Sequence, residues 1–156
     1  MPTDTTQTVA RLEAASKRYG AVQALDGLDL HVSGGAAGSA DALAIEGEVK
    51  PGFVFPRSGA MFFPSDTPMQ AMDFTRKQTL KLWMRGDGTT YNVVLFTADQ
   101  HIPLMQPFTA GPVWQKVTIP FQAFSGTEMA QLKGIAFCAG PNPGKFRFEI
   151  DQVVIR

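Results

Sequence analysis

Residues that build reactive or metal-binding centres are scarce in this chain of 156: it has one cysteine, two histidines, two tryptophans and two tyrosines. A single thiol forms no internal disulfide, and Cys138 lies in the apolar run Gly134-Ile135-Ala136-Phe137-Cys138-Ala139, where a buried, inert thiol is expected. His31 and His101 have no cysteine or carboxylate at a ligand spacing, which sets a zinc site aside. No excess of one charge exists either. Lys plus Arg number 14 and Asp plus Glu number 14, so no basic field gathers phosphates, and nucleic acid is not an expected partner. No apolar run approaches the roughly 18 residues that a membrane span needs, so no membrane insertion is expected. The opening Met-Pro-Thr-Asp-Thr-Thr-Gln-Thr lacks the basic and apolar regions of a signal peptide, so the cytoplasm is the expected compartment if Met1 is the true start.

Catalytic motifs are missing as well. Ser58 is flanked as Arg57-Ser58-Gly59, not as the Gly-x-Ser-x-Gly of a nucleophile elbow. The carboxylates Asp73, Asp87, Asp99, Glu149 and Asp151 show no spacing that sets two of them up as an acid and base pair. The chain therefore reads as a non-enzyme with no cofactor. One reservation concerns Asp151, at a strand end, which is a candidate oxygen ligand for a structural calcium; backbone hydrogen bonding is the plainer use of it.

What is present is β-structure. Helical spacing is hard to find, while 15 glycines and 11 prolines punctuate short β-rich runs. Ala42 to Val49 alternates with period 2, and Phe53 to Phe63 is a second candidate interrupted by Pro56. Thr79 to Ala98 reads as a hairpin around Gly86-Asp87-Gly88-Thr89, which also makes Arg85-Gly86-Asp87 part of a turn. Its first strand separates Leu80, Leu82 and Met84 from Lys81, Trp83 and Arg85; its second separates Tyr91, Val93 and Leu95 from Asn92, Val94 and Phe96, apolar on both faces and so central. Val113 to Ile119, Lys133 to Ala139 and Phe146 to Ile155 complete the set, and Gly140-Pro141-Asn142-Pro143-Gly144 reads as a second hairpin connection. Six or seven strands without intervening helices argue for an all-β, two-layer sandwich.

From about residue 36 to 156 the chain resembles the complex I intermediate-associated protein 30 family, a branch of the galactose-binding domain-like jelly rolls related to family 11 carbohydrate-binding modules. The matching pieces are Ser58-Gly59-Ala60-Met61-Phe62, Asp73-Phe74-Thr75, Leu82-Trp83-Met84-Arg85-Gly86-Asp87-Gly88 with Tyr91, Trp114 to Phe121, and Phe146 to Val153. The resemblance implies a jelly-roll β-sandwich acting as a non-catalytic binding module, appended to enzymes or serving as an assembly factor. The family's usual opening is replaced here. Residues 9 to 32, with Ala10-Arg11-Leu12-Glu13-Ala14-Ala15-Ser16-Lys17-Arg18-Tyr19-Gly20, resemble the first strands of an ABC transporter ATPase, where an aromatic at the Tyr19 position stacks on adenine. No Gly-x-x-x-x-Gly-Lys-Ser/Thr follows, so nothing holds nucleotide phosphates and hydrolysis is excluded. The expected division is a leader over 1–33 and a sandwich domain over 34–156.

Three functions follow for such a chain: docking or assembly with a protein partner, recognition of a glycan on a sheet face, and, remotely, a fragment of an ABC transporter ATP-binding protein using Tyr19. Indole faces stack on sugar rings and Arg, Asn and Gln supply directional hydrogen bonds, so Trp83, Arg85, Asn92 and Gln115 are the candidate ligand-binding residues. Trp83 has an alternative use, packing under a loop such as Pro64 to Met72. A docking function would instead show a contiguous exposed apolar patch near Phe53, Phe55 and Phe62.

Overall fold

Along the strands, the alternation of apolar and polar residues becomes an alternation of burial. The computed structural model describes residues 11–19, 22–36 and 38–156, and side chains for 34–36 and 38–156. Tyr19 and His31 thus lie outside the described side chains. Among the described residues ten strands run as β1 (Arg11–Tyr19), β2 (Val22–Gly34), β3 (Asp41–Val49), β4 (Ser58–Phe62), β5 (Thr79–Gly86), β6 (Thr90–Thr97), β7 (Leu104–Thr109), β8 (Gln115–Pro120), β9 (Leu132–Ala139) and β10 (Gly144–Ile155). They form a six-stranded sheet in the order β1-β2-β3-β10-β5-β8 and a four-stranded sheet in the order β4-β9-β6-β7, antiparallel throughout. The fold is a β-sandwich of the jelly-roll type.

Leu80, Leu82 and Met84 face inward from one sheet, and Tyr91, Val93 and Leu95 meet them from the other, all essentially without exposure. Phe146, Phe148 and Ile150 of β10 join the same core. Tyr91 stands at its aromatic centre, with ring centroids 4.4 Å from Phe148 and 5.8 Å from Phe108. Fully burying side chains of this size contributes about 1.5–3 kcal/mol each, which is why the inward register of these strands is so strongly specified. The expected central place of β6 holds: it lies between β9 and β7, with Val94 buried on its other face.

Three expectations are corrected. Gly86-Asp87-Gly88-Thr89 is not a hairpin turn but an arch that carries the chain from β5 in one sheet to β6 in the other. Its amides turn to the β7–β8 connection, with Gly86 N–H donating to the Gly111 carbonyl at 2.7 Å and Gly88 N–H to the Ala110 carbonyl at 2.8 Å. Gly88 has φ +86°, a conformation that favours glycine. The Gly140 to Gly144 connection is likewise an arch, from β9 to β10. Turn residues announce a reversal of direction; they do not say whether the chain re-enters its own layer or one about 10 Å away. Finally, the Phe53 to Phe63 run is strand only over β4, since Pro51 and Pro56 leave 51–57 irregular. β7 goes unread in the sequence because Pro107 interrupts it and Pro103 directly precedes it, and its place at a sheet edge is where a strand tolerates proline.

Candidate functional site

The outer face of the six-stranded sheet is built by alternate residues of β10, β5 and β8. Lys81, Trp83 and Arg85 project from β5; on β10 Asp151 is the Cα partner of Trp83 and Glu149 that of Arg85, while Lys116 of β8 lies on the other side of Trp83. Glu149 is nearly buried, its side chain 8% exposed, and one of its oxygens, Oε2, receives both Nε of Arg85 at 2.7 Å and a terminal nitrogen of Arg85 at 2.6 Å. Its other oxygen accepts from Arg147 at 3.4 Å, and Arg147 reaches Glu46 at the same distance. The network spans β3, β10 and β5, so the guanidinium of Arg85 is held in one place. Its flat face lies 4.8 Å from the ring centre of Trp114, a cation–π stack. Trp83, two residues before Arg85 on β5, and Trp114, just ahead of β8, therefore lie near Arg85, and both are half-buried.

Beside Arg85 opens a cleft of about 260 Å³ lined by Arg85, Gly86, Asp87, Pro112, Arg147, Phe148 and Glu149. Asp87 anchors the arch at its rim. Its Oδ1 accepts from the Thr89 amide at 3.0 Å, the Thr89 hydroxyl at 2.6 Å and the buried Tyr91 hydroxyl at 2.7 Å. Partial burial works to raise the Asp87 carboxyl, but the hydrogen bonds from Thr89 and Tyr91 outweigh it and hold the group below its ordinary value. Burial, with the Asp87 carboxylate adding to it, pushes the Tyr91 phenol well above its ordinary value, so it remains a donor. The result is a rigid set of donors and acceptors next to an indole, the kind of surface that pairs with hydroxyl-rich ligands.

The four sequence candidates do not come together. Trp83 and Arg85 share the face just described. Asn92 belongs to the other sheet, where its amide donates to the Gly140 carbonyl at 3.1 Å. Gln115, opposite Met84, donates its amide to the Thr109 carbonyl at 2.5 Å. Period 2 sorts residues within one strand, but it does not say which sheet a strand joins. Trp114, Asp87, Arg147 and Glu149 are the residues that sequence reasoning missed. The alternation Trp114, Lys116, Thr118 was a usable signal for the first of them. The Pro64 to Met72 segment, the imagined cover of Trp83, is tied to the four-stranded sheet through backbone hydrogen bonds between Met72 and Leu132.

Asp151 uses both oxygens on backbone: Oδ2 accepts from the Ala36 amide at 2.8 Å and Oδ1 from Gln152 at 2.6 Å. Among the described residues no group of three or more His, Cys, Asp or Glu side chains is placed to hold a metal ion, and no helix is long and apolar enough to cross a membrane.

No family model and no curated protein matches the sequence. Solved structures do match in shape. A family 11 carbohydrate-binding module of the cellulosomal cellulase Lic26A-Cel5E of Clostridium thermocellum superposes with a TM-score of 0.64 at 11% identity, covering 96% of this chain and 88% of that one. A family 11 module of the same organism in complex with a β-1,3-1,4-mixed-linked tetrasaccharide gives 0.60 at 13%, covering 81% and 80%. A family 30 module of the cellulosomal cellulase Cel9D-Cel44B of that organism gives 0.59 at 12%, covering 97% and 93%. At these identities the likeness is one of fold.

Proposed function

We propose that the chain is a non-catalytic carbohydrate-binding module that holds a glycan on the outer face of the six-stranded sheet. The observation that carries this is the Arg85 cluster: a guanidinium fixed by Glu149 and stacked on Trp114, with Trp83 on the same strand as Arg85, beside a cleft sized for one or two sugar rings. The fold supports the reading, since its structural neighbours are carbohydrate-binding modules and one of them is bound to a mixed-linked tetrasaccharide. Indole rings stack on the apolar faces of pyranoses, and the Arg147, Asp87 and Glu149 side chains supply hydroxyl partners.

The test is titration of the purified chain with the β-1,3-1,4-mixed-linked tetrasaccharide and a panel of galactans, read by tryptophan fluorescence. Saturable quenching is expected, weakened about 10-fold or more by Trp83→Ala or Trp114→Ala, as loss of an aromatic contact worth about 1.5 kcal/mol implies. Silence across the panel would sink the reading.

A second reading, docking of a protein as in the complex I intermediate-associated protein 30 family that the sequence resembles, is favoured by a separate observation. Phe53, Val54 and Phe55 form a consecutive apolar stretch that is 53%, 88% and 64% exposed, and Phe62 nearby in sequence is 48% exposed. Large apolar side chains held in water next to one another mark an interaction surface.

A further inference from the structure

Charge is graded across the outer face of the six-stranded sheet. β3 and β10 between them mix signs: Arg147 pairs with Glu46, and both Arg147 and Arg85 reach Glu149. β5 and β8, the latter at the sheet edge, contain three cations, Lys81, Arg85 and Lys116, and no carboxylate. Arg85 is spent on Glu149 and Trp114. Lys81 and Lys116 join no ion pair among the described residues.

Strand register sets these two lysines on either side of Trp83. Lys81 precedes Trp83 by two residues on β5, so the two side chains leave the same face about 6.6–6.8 Å apart. Lys116 is the Cα partner of Trp83, and Lys81 that of Thr118. The lysines are therefore diagonal neighbours, their strand positions about 7–8 Å apart. Like charges at that spacing repel, yet each ammonium rides on a flexible stem that can swing it to a common point. Lys116 and Thr118 are exposed and Lys81 and Trp83 half-buried, so the group is open to solvent. One acid faces it from β10. Asp151 is the Cα partner of Trp83 on that side, but its oxygens accept from the Ala36 and Gln152 amides at 2.8 and 2.6 Å, and it forms no ion pair with either lysine.

We propose that the glycan held on this face is an anionic one, and that Lys81 and Lys116 together hold a carboxylate or sulfate group of a sugar beside Trp83. The inference rests on the glycan reading above and gives that ligand its chemical class. Ammonium groups on flexible stems suit a compact oxyanion, whereas the guanidinium of Arg85, fixed by Glu149, suits hydroxyl groups at set positions. An oxyanion between the two lysines also cancels their repulsion, which a neutral sugar leaves in place.

The experiment titrates the whole chain, read by tryptophan fluorescence, with length-matched galactan oligosaccharides that differ only in sulfate esters, with an oligogalacturonate, and with the neutral mixed-linked tetrasaccharide. At low salt a sulfated or uronate ligand should bind about 10-fold more tightly than the neutral ones, as two partly exposed ion pairs imply, and about 1 M NaCl should erase most of the difference. The tighter of the two names the anion. Lys81→Gln and Lys116→Gln should each cut the preference about 3-fold, and the double variant should abolish it while changing neutral binding by less than about 2-fold. Lys133→Gln, on β9 of the other sheet, should leave it intact, and thermal midpoints of all variants should match within about 2 °C. Equal binding of charged and neutral glycans, a preference that survives in the double lysine variant, or an equal loss with Lys133→Gln would overturn the inference and leave the glycan reading standing. Binding of no oligosaccharide, charged or neutral, would overturn both.

Discussion

The hydroxyl of Tyr91 links the aromatic core to the Asp87 arch, and its removal tests how the arch is held. In Tyr91→Phe the single O–H donor is lost that lies 2.7 Å from the Asp87 carboxylate and 3.0 Å from the Arg147 carbonyl. Hydrogen bonds to charged groups contribute about 1.5–3 kcal/mol. Asp87 keeps its two bonds from Thr89, so the loss should fall near the lower part of that range, about 2 kcal/mol. For a chain of this size each kcal/mol moves the thermal midpoint by about 2–4 °C, which gives a fall of about 4–8 °C. Urea unfolding of wild type, Tyr91→Phe, Asp87→Asn and the double variant would measure it, with an unchanged slope and a coupling of about 1–2 kcal/mol between the two sites. The pH dependence has a definite sign. The folded state holds the Asp87 carboxyl below its ordinary 3.8, so its contribution is complete above that value and drains as pH falls through the lower folded value. The stability gap between wild type and Asp87→Asn should be flat from about pH 8 to about pH 5 and close in more acidic solution. Additive effects of the two substitutions, or a gap that grows on acidification, would refute the account.

Two further outcomes are expected. The rise of the Cys138 thiol from 9.0 to about 11 cuts its thiolate about 100-fold at mild pH, so a disulfide reagent at pH 8 should modify the native chain at least that much more slowly than the urea-unfolded one; comparable rates would show that β9 opens readily. The proposed division of the chain predicts that a variant beginning at Gly34 retains one cooperative unfolding transition, because the core cluster from Ile45 to Ile150 is assembled by β3 to β10. A variant without a transition would show that β2, which pairs with β3 from Asp29 to Gly34, is needed to complete the six-stranded sheet.

What the sequence determined by itself was local and periodic. The alternation in Leu80 to Arg85, Tyr91 to Phe96 and Phe146 to Asp151 placed inward and outward side chains correctly, because a strand has a period of 2 whatever it pairs with. The all-β class, the buried Cys138 and the central place of β6 followed from the same reasoning. Only the tertiary structure decided which strands are neighbours. Gly86 to Thr89 and Gly140 to Gly144 look like hairpin turns in sequence, yet both cross between layers, since glycine permits a reversal without choosing its plane. That choice separates Asn92 from Trp83 and brings Trp114, Glu149 and Arg147 to Arg85 across three strands. Such juxtapositions arise from hydrogen-bonded pairing between distant segments, and spacing along the chain does not encode them.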